Sequence, residues 1–205
     1  TNVSVLRLSV SNNQLSKISL NAFEGPFETN LAALDLSHNL LEDYSKALKP
    51  LTKLTTLLLR GNKIQNIETN AFTLCSKVLQ TLDLSENWLN SVPSNALNST
   101  KSLLKLNLQD NRIESLNGFT FGRWSRSLRF LSLSKNRLAK ISQETFEQMI
   151  NLRELRLAFN NLDHYQDDLS FLKPLGSKLI ILELSYSLKR NIFPKVLKQM
   201  KSLEF

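Results

Sequence analysis

TLDLSENWLNSVPSNAL, residues 81–97, sets Leu82 and Leu84 two places apart, Asn87 three residues on, and Leu89 two after that. TLLLRGNKIQNIETNAF at 56–72 and FLSLSKNRLAKISQETF at 130–146 keep the same spacing. Followed outward, the frame L-x-x-L-x-L-x-x-N-x-L runs along the chain. Its asparagine falls at Asn13, Asn39, Asn62, Asn87, Asn111, Asn136 and Asn160, at intervals of 23 to 26 residues. Self-similarity at this period predicts a stack of like units, each giving one short strand to a parallel sheet and each too small to bury its apolar side alone.

Repeats start at Val5, Leu31, Leu54, Leu79, Leu103, Leu128, Leu152 and Leu179, which reads as one repeat domain over 1–205 with Leu203 opening a further strand. Position four is leucine in all eight, and position six is leucine in all but the first, where Val10 stands. Stacking sets each leucine on its counterparts above and below, and each burial is worth roughly 1.5–3 kcal/mol. The asparagine at position nine has one acceptor and two donors. It is expected to satisfy backbone groups where the chain leaves the strand, a structural role. Phe23, Phe72, Phe121 and Phe146 fall at position nineteen, where a large ring fills the outer side and bends the stack so that the strands line its concave face.

The frame and the late phenylalanine together resemble the typical class of extracellular leucine-rich repeats found in Toll-type receptors, Slit, chaoptin and the repeat-plus-immunoglobulin receptors. The resemblance implies an α/β solenoid: a curved arc with a parallel sheet on the concave face and irregular, 3-10 or short helical segments on the convex side. It is shared by receptors, adhesion proteins and matrix proteins, and it implies a secreted or cell-surface setting. Such ectodomains carry cysteine-bridged caps, whereas Cys75 is the single cysteine here. The sequence therefore reads as an internal fragment without caps, reaching a membrane only through a segment outside it. Asn2-Val3-Ser4 and Asn98-Ser99-Thr100 are candidate glycosylation sequons.

No nucleophile elbow, P-loop, His-Glu-x-x-His or dinucleotide glycine pattern occurs, so no enzyme activity and no cofactor are expected. Asp35 and Asp83 share position five but belong to separated repeats. Cys75, His38 and His164 lack metal-ligand spacing. Cys75 reads as a small buried hydrophobe, with a disulfide to a segment outside the chain as the alternative.

Function is then expected at positions two, three, five, seven and eight, whose side chains leave the concave sheet while the leucines point inward. Residues 1–100 carry 8 Lys and Arg against 8 Asp and Glu, and residues 101–205 carry 18 against 10, so the whole +8 excess lies in the second half. The predicted partner-binding residues are Arg129, Phe130, Lys135, Arg153, Arg156, Phe159 and Tyr186, with Glu86 and Lys105. Arg129 and Arg153 face each other and need an anion or Glu154 for relief. Phe159 is expected to be an exposed ring with the Lys135 cation beside it, and Arg156 can pair with Glu183.

The expected partner is a protein ligand or cell-surface protein. The alternatives are a polyanion on the basic half, a sulfated glycan before a nucleic acid, and an intracellular scaffold. The basic tail Lys189, Arg190, Lys195, Lys198 and Lys201 reads as a solvated face. Three irregularities stand out. Ser187 replaces the asparagine of the eighth repeat, and with Lys189 at an apolar position it is expected to loosen the stack. Repeats two and seven share Tyr44 and Tyr165 at position fourteen and an LKPL ending, which suggests a duplication. Asp167-Asp168 is expected to protrude.

Overall fold

The structure, a computed structural model, describes residues 6–44, 46–165, 169–176, 178–188 and 195–203. Asn2, Asp167, Asp168, Lys189 and Arg190 lie outside the described residues. Eight three-residue strands form one parallel sheet: β1 (Arg7–Ser9), β2 (Ala33–Asp35), β3 (Thr56–Leu58), β4 (Thr81–Asp83), β5 (Lys105–Asn107), β7 (Phe130–Ser132), β9 (Glu154–Arg156) and β10 (Ile181–Glu183). Two shorter strands, β6 (Ser115–Leu116) and β8 (Lys140–Ile141), pair in a second parallel sheet. Helices are short: α1 (Pro26–Asn30), α2 (Ser94–Leu97) and four 3-10 turns.

Strand register follows the leucine column without a slip, Leu8 to Leu34, Leu57, Leu82, Leu106, Leu131, Leu155 and Leu182. The residues on either side of each leucine point to the opposite face, because side chains alternate along a strand. From Leu34 to Leu155 that column is fully buried, and so is the position-six column from Leu36 to Leu157.

On the outer side, Phe23, Phe72, Phe121 and Phe146 are buried. Phe121 and Phe146 stack at 5.9 Å, and Trp124 lies 5.9 Å from Phe121. The seventh repeat has no phenylalanine at position nineteen. Phe171, one place later in this longer repeat, nevertheless enters the same spine, 6.1 Å from Phe146, from the 3-10 turn Ser170–Leu175. The two tyrosines of position fourteen differ in state. The Tyr165 hydroxyl donates to the Ile141 carbonyl at 2.8 Å. The Tyr44 hydroxyl is buried without a hydrogen bond, and burial pushes its pKa far up. Cys75 is buried and free; its Sγ donates to the Phe72 carbonyl at 3.6 Å, and burial pushes the thiol up to about 11.

The position-nine asparagines form a ladder. Asn62 Nδ2 donates to Leu59 O at 3.0 Å and to Leu36 O of the preceding repeat at 3.1 Å, while its Oδ1 accepts from Leu41 N at 3.0 Å. Asn39, Asn87, Asn111, Asn136 and Asn160 make the same three bonds. Asn13, in the first repeat, donates within its own turn, to Val10 O and Ser11 O. Each such buried group left unpaired would cost about 1–3 kcal/mol.

At Ser187 the expectation of a loosened stack is corrected. Ser187 is buried, its Oγ donates to Leu157 O at 2.5 Å, and Asn160 N donates to the same Oγ at 3.1 Å. Its main-chain carbonyl accepts from Leu162 N at 3.1 Å, the amide that an asparagine Oδ1 would otherwise satisfy. A shorter side chain thus meets the same demand with help from the backbone, and β10 keeps full register on β9.

Every strand ends in the same way. Position eight adopts a left-handed backbone in all eight repeats: Asn12, His38, Gly61, Glu86, Asp110, Lys135, Phe159 and Tyr186 have φ between 53° and 66°. This turns the chain away from the sheet and delivers the next side chain, the asparagine, inward. Asn, Asp and Gly enter this region readily, whereas other L residues are crowded there by roughly 1–2 kcal/mol. At Gly61 the choice has a second cause: an added Cβ would lie 2.5 Å from His38 Nδ1 of the preceding repeat.

Candidate interaction surfaces of the sheet

The concave face divides into two electrical regimes. In the first half, polar side chains satisfy one another. Asp35 accepts from the Ser37 amide at 2.9 Å and from Ser9 Oγ at 3.2 Å. Partial burial works against ionisation of Asp35, but the hydrogen bonds from Ser37, Ser9 and Ser11 outweigh it and hold the carboxyl below its usual range. Asp83 binds Ser85 Oγ at 2.6 Å and Asn107 Nδ2 at 3.2 Å. Arg60 Nη2 meets Glu86 Oε1 at 2.7 Å, and that hydrogen bond holds the Glu86 carboxyl below its usual range. Glu86, predicted to bind a partner, is therefore already engaged within the chain.

In the second half, the predicted residues separate into two groups. Lys105, Arg129, Phe130 and Arg153 gather with Thr81, Asp83, Asn107 and Glu154 around a shallow cleft of about 500 Å³ at the beginnings of β4, β5, β7 and β9. Lys105, Arg129 and Arg153 are exposed and Phe130 is half-buried. Among the described residues the Lys105 and Arg129 side chains make no hydrogen bond or ion pair.

Of the two expected sources of relief for the facing pair Arg129 and Arg153, an anion or Glu154, the carboxylate is taken elsewhere. It binds Arg156 at 2.6 Å instead, while Arg153 Nη1 turns to the Lys178 carbonyl at 2.9 Å. Arg156 also approaches Glu183 at 3.8 Å and lies 5.5 Å over the Phe130 ring. Its charge is spent on two carboxylates, so it braces Phe130 from behind.

Glu86, Lys135 and Phe159 line a different cleft, of about 610 Å³, at the ends of the strands. Phe159 stacks not on a cation but on Tyr186, with centroids 4.6 Å apart and planes 13° apart. Phe159 is exposed, as expected, and Lys135 lines the same cleft on the side away from Tyr186; the ring contact of Phe159 is with Tyr186. Besides Asp110, three lining residues outside the predicted site share one column: Trp88, Arg112 and Arg137. All fall at position ten, outside the positions counted as strand surface, and Arg112 lies 4.9 Å over the Trp88 ring. Aligning position ten across repeats would have revealed the column Lys63, Trp88, Arg112, Arg137.

Asn98 is exposed at the C-terminal end of α2, and Thr100 of the same sequon is buried with its hydroxyl on Leu97 O at 2.8 Å. Among the described residues no group of His, Cys, Asp and Glu could hold a metal ion, and no helix is long and apolar enough to cross a membrane.

Comparison with known proteins agrees with this architecture. The family model described as BspA type leucine rich repeat region matches residues 45–171 in six copies, and a second leucine rich repeat model matches 3–64. The chain is 39% identical to Tsukushi-A of Xenopus laevis over 89 residues, 43% of this chain and 25% of that protein. It is 38% identical to human leucine-rich repeat-containing protein 3B over 96 residues, 47% of this chain and 36% of that protein. The chain thus spans between a quarter and about a third of the length of these relatives.

Among solved structures, a leucine-rich repeat protein of Leptospira interrogans superposes with a TM-score of 0.78 at 30% identity, over 96% of this chain and 47% of that one. TLR13, solved as a complex with ssRNA13, superposes with a TM-score of 0.73 at 25% identity, over 97% of this chain and 32% of that one. The sheet, the ladder and the family match over more than half of the sequence lead to one assignment: the chain belongs to the leucine-rich repeat family.

Proposed function

We propose that this chain, read as a single repeat domain over 1–205, is a non-catalytic protein-recognition module of a cell-surface or secreted protein that engages its partner through the concave sheet of its second half. The family and fold are those of protein-interaction modules. One observation carries the finer reading: the cleft around Phe130, where Lys105 and Arg129 have no partner among the described residues and Arg156 lies over the ring. Aromatic and arginine side chains grouped in this way are the common anchors of protein interfaces. Arg153 stands at the rim, and Phe159, Lys135 and Glu86 occupy the separate cleft at the strand ends, with Tyr186 stacked on Phe159. The exposed Asn98 supports an extracellular setting.

A second reading rests on charge and a structural neighbour: the +8 excess of the second half, together with the solved nucleic acid complex of TLR13, supports polyanion binding. Salt separates the two. Neutralising several phosphates or sulfates makes affinity fall by orders of magnitude between roughly 50 and 200 mM salt. A desolvated aromatic anchor is far less sensitive. The test is binding to heparin and to a panel of purified cell-surface proteins across that salt range, with Arg129→Ala and Phe130→Ala variants. A salt-resistant protein partner lost on Phe130→Ala supports the module reading. Heparin binding alone, removed by salt, overturns it in favour of the polyanion.

A further inference from the structure

Position eight is a left-handed site in every repeat, and three repeats fill it with the residues that suit it, Asn12, Gly61 and Asp110. The last two described repeats fill it with Phe159 and Tyr186, at φ 56° and 57°. Two bulky rings sit on a backbone that disfavours them, 47% and 81% exposed and stacked on each other. Backbone strain combined with exposed aromatic area lowers stability, and mutual stacking recovers only part of it. The residues are better explained by what the rings touch outside the chain.

Beside Phe159, in the cleft it lines, Lys135 and Arg137 are exposed, and their side chains have no hydrogen bond or ion pair among the described residues; Lys135 feels the charge of Glu86, whose carboxylate is bonded to Arg60. Across the cleft Arg112 covers the Trp88 ring. The surface is therefore apolar at the Phe159 end, and beyond it the cations Lys135, Arg137 and Arg112 outnumber the carboxylates Glu86 and Asp110.

We propose that this row at the strand ends is a second interaction surface, distinct from the concave cleft, which takes an acidic polypeptide segment. An aromatic or proline side chain of that segment packs on the Phe159–Tyr186 pair, and its carboxylates meet Lys135 and Arg137. Charge complementarity selects a polypeptide over a nucleic acid strand. Asp110, exposed and without a cationic partner in the described residues, lines the same cleft. A phosphodiester backbone carries a charge at every nucleotide and must set one against Asp110. A polypeptide can place its carboxylates on either side of it.

The double change Phe159→Gly with Tyr186→Gly gives an unusually clean test, since glycine suits a left-handed backbone and the variant is expected to fold at least as well as the parent. Four fluorescein-labelled probes are titrated by anisotropy against the full chain: an acidic peptide bearing tryptophan and proline, its counterpart with lysine for each glutamate, an acidic peptide without aromatic residues, and a uridine oligonucleotide. The acidic aromatic peptide is expected to bind best. Its affinity should fall about tenfold or more in the double glycine variant and by a similar factor in Arg137→Glu, with a melting temperature no lower than the parent's in the former. Equal binding of the lysine peptide overturns the proposal, as does full affinity in the double glycine variant, tighter binding of the oligonucleotide, or no binding of any peptide. The concave reading is tested through Phe130 and Arg129, so the two can fail separately.

Discussion

Strands β1 to β4 and strands β5, β7, β9 and β10 share the leucine register, yet their surface side chains end in different states. In the first group Asp35, Ser9, Ser37, Asp83, Ser85, Arg60 and Glu86 form short-range networks that leave little to offer a partner. In the second group Lys105, Arg129 and Lys135 stand open beside Phe130, Phe159 and Tyr186. Same scaffold, different satisfaction: a solenoid separates folding, carried by the inward columns, from recognition, carried by the outward ones, so the outward residues can change from repeat to repeat without disturbing the stack.

If the inward columns are equivalent in both halves, Leu57→Ala and Leu131→Ala should each cost about 2–5 kcal/mol in chemical denaturation. A large disparity between them would break the shared-core half of the comparison. The ladder sharpens it next. Asn136→Ala removes one acceptor and a donor that serves two buried carbonyls, an expected loss of about 2–3 kcal/mol. Ser187→Ala should cost only about 1–2 kcal/mol, because there the backbone carbonyl carries part of the load.

Position eight contrasts the halves directly. Gly61→Ala meets both a left-handed backbone and the His38 ring, and should lose about 1–2 kcal/mol, whereas Phe159→Gly should be neutral or stabilising. Thermal melts of the two single variants report the sign. The smallest effect is the Arg60–Glu86 pair. The folded carboxyl pKa is lowered, so its contribution is fully present above the usual Glu value of 4.5 and is lost as pH falls through the lowered folded value. Being partly exposed and so screened by solvent, the pair should contribute under about 1 kcal/mol. The stability gap between parent and Glu86→Gln should therefore be small at pH 7 and close in acid.

Much of the fold could be read from the leucine and asparagine columns, because a period-two strand pattern and a fixed repeat leave one register that buries every leucine. Phe171 escaped a fixed-position reading because the seventh repeat is longer and shifts the frame by one residue. The left-handed turn was also hidden: only Asn12, Gly61 and Asp110 are residue types that advertise it, and the remaining five take that backbone because the ladder on either side demands it. As for the surface, column neighbours were legible, since register follows from the repeat. Which groups pair was not, because Glu154 can reach Arg129, Arg153 or Arg156, and rotamer and packing decide among them. Trp88, Arg112 and Arg137 were missed for the same reason: position ten follows the inward asparagine, and only the geometry of the turn brings it beside position eight.

The most direct test of the central claim, that recognition belongs to the second half of the concave sheet, is a matched binding comparison. A partner selected from the cell-surface panel is measured at 200 mM salt against Arg129→Ala with Phe130→Ala, and against Arg7→Ala with Thr56→Ala on the first half. The expected result is a loss of about tenfold or more for the first pair, with the second pair indistinguishable from the parent. Loss confined to the Arg7 and Thr56 variant, or equal loss in both, would contradict it.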